Sequence, residues 1–243
     1  MPRFHVPPPH GLAPGVSLPL PPGAARHAQV LRLQPGHEVT LFDGAGGEWS
    51  ARIARMGRSE VEVLVHAHAP LEREAGRAVH LAVGLMAADR MDWLVEKATE
   101  LGAASLRPLL AERSSLRLAG ERAEKKRAHW QAVAIAACEQ SGRNRLMEVH
   151  QQLSIQEHLQ QTAPAGPARW LLSLDAAATP VGPALAALAP GQPVELLSGP
   201  EGGLSPAEEA AARAAGYRPV DLGPRVLRAE TAPLAALALL TLT

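Results

Sequence analysis

Cysteine and long apolar runs are scarce in this sequence, and each shortage excludes a class of protein. The single cysteine, Cys138, cannot form an internal disulfide, so a reducing compartment such as the cytoplasm is expected. No apolar run approaches the roughly 18 residues that a membrane helix requires, and the N-terminal residues lack a secretory apolar core. We therefore expect a cytoplasmic protein with no membrane partner.

Familiar metal and nucleotide motifs are missing as well. The sequence has no CxxC pair and no HxxxH spacing, and its ten histidines are scattered. A Walker loop is excluded because Gly203 is followed by Leu204 and Ser205 instead of glycine, lysine and serine. A dinucleotide fingerprint would follow the first strand of its fold, whereas the glycine loop lies near the C-terminus. We expect no metal.

Net charge is zero, but the charges are distributed unevenly. Residues 103–147 carry nine basic and four acidic side chains, whereas residues 148–243 carry five and nine. Of the 24 basic residues, 21 are arginine, which suits bidentate phosphate contacts. A GC-rich coding bias would explain the preference for arginine over lysine, but it would not explain the basic middle segment.

The pattern of predicted secondary structure changes near residues 69–77. Before this point, short β-like runs alternate with glycine-rich turns, as in a small β-barrel. After it, strands alternate with helices, which predicts an α/β layer fold. The predicted domains are residues 1–72 and 73–243. The early runs cover 38–42, 49–53 and 60–65, and the later strands are predicted near 78–85, 104–109, 169–174, 194–198 and 218–222.

A glycine loop between a strand and a helix is the most informative local feature. The apolar run 194–197 predicts a buried strand, and Ser198, Gly199, Pro200, Glu201, Gly202 and Gly203 follow it. Ser205 and Glu208 predict a capping box with Pro206 at the first helical position. A helix N-terminus behind a glycine loop presents backbone N–H groups to a ligand. The loop 222–232 supplies a rigid Gly-Pro step with two arginines.

Two helices are predicted between the early strands of the second domain. The first covers 89–101 and carries an apolar stripe that ends at Gly102. The second covers about 121–141 and ends in the polar run 139–145. This run is interpreted either as a capping turn or as an RNA phosphate contact. The apolar stretch 233–242 predicts a buried final helix.

Four ordered strings resemble one family, the ribosomal RNA small subunit methyltransferase E family. The strings are Asp89–Gly102, Glu139–Asn144, Gly199–Ser205 and Leu222–Ala232. The N-terminal part agrees more loosely, through 1–4, 27–32 and 42–44. Two departures are Ala87, where the family has a lysine, and Ala229, where it has a threonine. The first puts one phosphate or substrate contact in doubt, and the second puts one hydrogen bond in doubt.

The resemblance implies a fold and a reaction. It implies a C-terminal SPOUT α/β domain with a deep trefoil knot, preceded by a PUA-like β-barrel that helps to hold RNA. The implied reaction is S-adenosylmethionine-dependent methylation of N3 of one uridine in small-subunit (16S) ribosomal RNA, by a homodimer. Two alternatives stay open, a related knotted methyltransferase acting on tRNA and a non-catalytic RNA-binding ribosome assembly factor.

The resemblance also implies residue roles. The expected cofactor residues are Leu172, Leu174, Ser198, Gly199, Pro200, Glu201, Gly202, Gly203, Leu222, Gly223, Val226, Leu227 and Thr231. The expected RNA contacts are Arg3, Arg26, Arg32, Arg113 and Arg143. Arg228, or Arg143 of a partner subunit, is expected to stabilise uracil charge while Glu201 or Glu230 removes the proton. An internal salt bridge and a helix cap are the alternative reading of Arg228, Glu230 and Thr231.

Overall fold

The chain forms two compact units, each built from two segments. The structure is a computed structural model that describes residues 1–9, 11–161 and 166–242. The first unit contains residues 1–74 and 135–146, and the second contains residues 75–134 and those from 147 onwards. The division into domains at residue 72 stays a prediction.

The first unit contains a mixed sheet with strand order β1-β3-β4-β5-β2. Its elements are β1 (Arg3–His5), β2 (Ser17–Pro19), α1 (Pro22–Val30), β3 (Glu38–Phe42), β4 (Glu48–Met56) and β5 (Val61–Ala69). The three predicted early strands are present as β3, β4 and β5. Alternate residues of β4 and β5, such as Ile53 and Val63, point into an apolar core with Phe4 and Leu41. Helix α1 was not predicted; it begins with proline and buries only alanines.

The second unit alternates strands and helices. Its first elements are β6 (Val79–Gly84), α2 (Ala88–Glu100), β7 (Ser105–Leu110), β8 (Glu148–Val149), β9 (Leu153–Ser154) and α4 (Ile155–Gln160). Helix α3 (Gly120–Ser141) has residues in both units. The later elements are β10 (Ala168–Leu172), β11 (Thr179–Pro180), α5 (Val181–Ala186), β12 (Val194–Ser198), α6 (Pro206–Ala214), β13 (Arg218–Asp221) and α7 (Thr231–Thr241).

All strand pairs in this second sheet are parallel, in the order β11-β13-β10-β12-β6-β7-β8, with β9 also paired to β7. The five predicted strands are present as β6, β7, β10, β12 and β13. The apolar stripe predicted on α2 is confirmed, because Met91, Leu94, Val95 and Ala98 are fully buried. Buried strand residues such as Leu81 and Leu196 complete this core.

The strand order determines where a ligand can bind. Strand β10 lies between β12 and β13, so the loops that follow these three parallel strands leave the sheet at one edge. Ligands of open α/β sheets bind at the carboxyl ends of the strands. The knot stays a prediction. Within the described residues, no helix is both long and apolar enough to cross a bilayer.

Candidate functional site

A cavity of about 410 Å³ lies at the carboxyl ends of β10, β12 and β13. Three stretches of chain form most of its wall, and each directly continues one of these strands. They are residues 172–174, 198–204 and 220–227. A larger cavity of about 720 Å³ lies beside α5, but none of the described residues that line it belongs to the predicted site.

The glycine loop turns tightly against itself. A Cβ at Gly199 would lie 2.7 Å from the backbone nitrogen of Leu204, so only glycine fits there. Gly203 has a φ of +69°, which other residues rarely adopt. The predicted capping box is confirmed, because Ser205 Oγ accepts the N–H of Glu208 and Glu208 Oε2 accepts that of Ser205. Helix α6 therefore begins directly after the glycine loop.

Most of the predicted cofactor residues line the cavity. Of the thirteen, only Gly223 and Thr231 are absent from the described lining. Gly223 has a φ of +106° and shapes the second loop, and Thr231 begins α7. The role of the whole set in cofactor binding stays a prediction.

Several lining residues were missed by the sequence analysis. Asp221 is the last residue of β13, is half-buried, and has no side-chain partner among the described residues. Ser173 and Arg225 also line the cavity; they lie inside the stretches predicted to bind the cofactor but were not named individually. Their positions in the sequence could have identified them, because each lies within a few residues of the carboxyl end of a strand that points to the site.

Both carboxylate oxygens of Glu201 accept hydrogen bonds from neighbouring residues. Its Oε1 accepts the backbone N–H of Ala87 at 3.0 Å, and its Oε2 accepts the hydroxyl of Ser115 at 3.1 Å. Burial, the largest single effect, raises the pKa of this carboxyl, but these hydrogen bonds, its own N–H and the nearby charge of Arg90 lower the pKa overall. A carboxylate with a lowered pKa is a weak proton acceptor.

Glu230 pairs with an arginine that the sequence analysis did not assign to the site. Its Oε2 lies 3.8 Å from Nη1 of Arg90, which also lies 3.6 Å from Oε1 of Glu201. Glu230 is 8% exposed and is the N-cap residue of α7, yet its side chain caps no backbone N–H. The expected cap is therefore not formed by Glu230. Arg228 is exposed, and within the described residues its side chain has no ion pair or hydrogen bond.

The predicted RNA contacts differ in exposure. Arg143 is only 4% exposed, and its guanidinium donates to both carboxylate oxygens of Glu74. The charge of Arg143 is thus matched by Glu74 in the single chain, and its expected contact with RNA or with a partner subunit stays a prediction. Arg3 is similarly engaged, with Glu48 at 2.7 Å and Asn144 at 2.6 Å.

The other three arginines are exposed. Arg26 and Arg32 lie on α1 and just after it, and Arg113 lies in the second unit. Nη1 of Arg113 donates to the carbonyl oxygens of Gly202 at 3.1 Å and Leu204 at 3.3 Å. Arg113 therefore supports the glycine loop as well as lining the cavity.

The two departures from the family pattern lie at the site. Ala87 contributes its backbone N–H, which any residue except proline would supply. Ala229 lines the cavity with a methyl group. Among the described residues, no group of three or more histidine, cysteine, aspartate or glutamate side chains could hold a metal ion.

Comparison with known proteins identifies the class. A family model described as an RNA methyltransferase domain matches residues 73–241, and one described as an RNA methyltransferase PUA domain matches residues 20–65. The fold and these matches define an RNA methyltransferase with an N-terminal PUA domain.

Individual relatives narrow this class to a family. The chain is 33% identical to ribosomal RNA small subunit methyltransferase E of Bacillus subtilis over 86% of this chain and 82% of the relative. It is 35% identical to the protein of that name from Synechocystis, over 86% of this chain and 67% of the relative. The chain belongs to the ribosomal RNA small subunit methyltransferase E family.

Solved structures agree with this assignment. A Neisseria gonorrhoeae ribosomal RNA small subunit methyltransferase E, solved with S-adenosylmethionine, is 37% identical, with a TM-score of 0.89 over 98% of this chain and 96% of that one. A Legionella pneumophila protein, solved with the same cofactor, is 33% identical, with a TM-score of 0.90 over the same shares.

Proposed function

We propose that this chain transfers a methyl group from S-adenosylmethionine to N3 of a uridine in small-subunit ribosomal RNA. The observation that carries the proposal is the cavity at the carboxyl ends of β10, β12 and β13. Its glycine loop and second loop are two of the four strings that resemble the family, which includes the cofactor-bound Neisseria structure.

The cavity suits the cofactor in size and chemistry. Its volume of about 410 Å³ lies within the usual range for small-molecule sites. Ser198 Oγ is buried and has no hydrogen-bond partner among the described residues, so a polar ligand group would satisfy it. Leu174 and Val226 are strongly exposed for apolar residues and line the same cavity, where they would cover an apolar ligand surface. S-adenosylmethionine supplies an electrophilic methyl group when bound.

The protein's remaining task is to stabilise uracil as it loses its N3 proton. The developing negative charge lies on the uracil oxygens, and a guanidinium is a suitable partner for it. Arg228 is exposed at the end of the second loop and is not paired within the described residues, so we assign this role to it. Glu201 and Glu230 do not suit proton removal, since both oxygens of the first already accept a hydrogen bond and the second is buried beside Arg90. The N3 proton is therefore proposed to pass to solvent water.

RNA binding is proposed to involve the exposed arginines Arg26, Arg32 and Arg113. Cationic side chains neutralise phosphates and fix the register of the RNA. The target uridine has to be unstacked before its N3 can enter a cavity of this kind.

The working form is proposed to be a cytoplasmic homodimer. Support comes from apolar side chains on α2 and α7 that stay exposed in the single chain, Trp93 at 45% and Leu239 at 37%. Aromatic residues such as Trp93 are enriched at subunit interfaces. Sedimentation equilibrium of the full chain would give the oligomeric state, and a concentration-independent monomer would contradict this proposal.

The reaction is tested by methyl transfer from labelled S-adenosylmethionine to three substrates. Small ribosomal subunits lacking the modification, free ribosomal RNA and tRNA would be compared, followed by nucleoside mapping. We expect label at N3 of one uridine of ribosomal RNA. Label in tRNA alone would favour the tRNA enzyme, and RNA binding without transfer would favour the assembly factor; either result would overturn the proposal.

A further inference from the structure

The guanidinium of Arg90 lies between two carboxylates that belong to different loops. Nη1 is 3.6 Å from Oε1 of Glu201, in the glycine loop, and 3.8 Å from Oε2 of Glu230, at the end of the second loop. Arg90 itself belongs to the first turn of α2. One cation thus faces two of the three loops at the cavity.

Glu201 also supplies the hydrogen-bond acceptor that is missing at the start of helix α2. Helix α2 has Ala87 at its N-cap and Arg90 at its third position, where a capping box would carry glutamate or glutamine. The carboxylate that accepts the Ala87 N–H comes instead from Glu201, more than a hundred residues away in sequence. The start of α2 and the glycine loop therefore depend on each other.

The contact with Glu230 joins the second loop to the same point. Glu230 Oε2 is buried and has no hydrogen-bond partner among the described residues. A buried carboxylate without hydrogen bonds is costly unless a positive charge lies nearby. Arg90 supplies that charge, and it thereby fixes the start of α7 relative to α2.

We propose that Arg90 is a positioning residue that holds the two cavity loops at the spacing required for S-adenosylmethionine binding. This inference rests on the proposed function. It assigns Glu201 and Glu230 to loop architecture, because both face the same cation from opposite loops. Loss of Arg90 should release the loops from each other while the sheet behind them stays intact, since that core is apolar.

The test compares Arg90→Met with Lys97→Met in the full chain. Lys97 lies on the same helix, and its ammonium pairs with Glu96 and Glu100 away from the cavity. Calorimetry should show S-adenosylmethionine affinity about tenfold weaker for Arg90→Met and unchanged for Lys97→Met. Turnover at saturating cofactor and the affinity for RNA should stay within about twofold of wild type. Without cofactor, hydrogen exchange should accelerate at residues 199–204 and 222–230.

A double-mutant cycle separates positioning from a general loss of stability. In a Glu201→Gln, Glu230→Gln background, Arg90→Met should weaken cofactor binding by less than about twofold, since its partners are gone. An undiminished effect in that background would overturn the proposal, as would wild-type affinity for Arg90→Met. Loss of turnover in Glu230→Gln with normal cofactor affinity would also overturn it, because that result identifies a proton acceptor.

Two further measurements keep the result interpretable. If Arg90→Met fails to fold, Arg90→Lys keeps the charge, and its affinity should lie between those of wild type and the double-carboxamide variant. If the wild-type protein itself binds no S-adenosylmethionine, the proposed function fails. Hydrogen exchange without cofactor still tests the Arg90 contacts in that case, because both loops should exchange faster in Arg90→Met.

Discussion

The Pro200 ring lies directly against Gly84, the last residue of β6. A Cβ at Gly84 would come 2.4 Å from both the backbone nitrogen and Cδ of Pro200. The glycine loop can rest on this strand only because the strand ends without a side chain. The shape of the cavity therefore depends on a residue that does not line it.

Gly84→Ala is expected to displace the glycine loop. The added methyl cannot fit beside the backbone of Pro200, and overpacking of this kind costs about 1–3 kcal/mol. Cofactor affinity should fall more than tenfold while the thermal midpoint falls by several degrees. Gly182→Ala is the matched control, since a Cβ there meets nothing within 4 Å. Normal affinity in Gly84→Ala would show that the loop can shift without harm to the site.

Asp221→Asn tests whether the unpaired carboxylate at the cavity recognises positive charge. The sulfonium of S-adenosylmethionine is cationic, whereas the thioether of S-adenosylhomocysteine is neutral. Loss of the carboxylate should weaken binding of S-adenosylmethionine about tenfold and binding of S-adenosylhomocysteine about twofold or less. Equal weakening of both would instead assign Asp221 to the amino group or the ribose, which the two ligands share.

Arg228→Ala should separate turnover from cofactor binding. Removal of a group that stabilises charge only during reaction lowers turnover about a hundredfold or more and leaves ground-state affinity unchanged. Single-turnover methyl transfer and calorimetry would measure the two quantities. Arg218→Ala, at the opposite end of β13, should behave as wild type. A variant that loses cofactor affinity but keeps turnover would contradict the assignment.

Arg26→Ala and Arg32→Asn should weaken RNA binding at all sequences. Asparagine is chosen for the second because Arg32 has a φ of +53°, which asparagine tolerates. Each lost phosphate contact should reduce the slope of log affinity against log salt by about 0.7 for single-stranded RNA. Arg55→Ala is the control, since that guanidinium is already paired with Glu62. Unchanged salt slopes would indicate that these arginines face solvent only.

Acid stability should depend on Glu48. Its burial, the largest single effect, raises the pKa, but hydrogen bonds from Arg73 and Arg3 outweigh it and lower the pKa from 4.5 to about 2. A folded-state pKa below the unfolded value stabilises the fold above about pH 4.5, and this stabilisation is lost as the pH falls towards 2. As the pH is lowered from 4.5 to 2, the thermal midpoint should therefore fall less steeply in Glu48→Gln than in wild type. Parallel curves of thermal midpoint against pH for the two proteins would refute this prediction.

Local patterns predicted the elements whose cause is local. The capping box of Ser205 and Glu208 and the strand Val194–Ser198 were found because they depend on neighbouring residues. Helix α1 was missed, since its buried face consists only of alanines. The short strands β8, β9 and β11 were missed because two residues carry no periodicity.

The site was predicted as stretches of chain but not as a set of contacts. The resemblance to the family assigned residues 199–203 and 222–227 to the cofactor, and in the structure most residues of both stretches line one cavity. The pairing of Arg90 with Glu201 and Glu230 joins residues more than a hundred positions apart, which no local pattern reveals. The burial of Arg143 was missed for the same reason, as its partner Glu74 lies in a distant segment.

The division of the first unit into two segments has a consequence for fragments of this protein. Residues 135–146 supply Glu139, which accepts the N–H of His5, and Asn144, which bonds Arg3 and the carbonyl of Leu71. A gene truncated after residue 74 would encode the PUA sheet but would lack the protein partners of these groups. The first unit is thus completed by chain synthesised some sixty residues later, so its last contacts form only after much of α3 has left the ribosome.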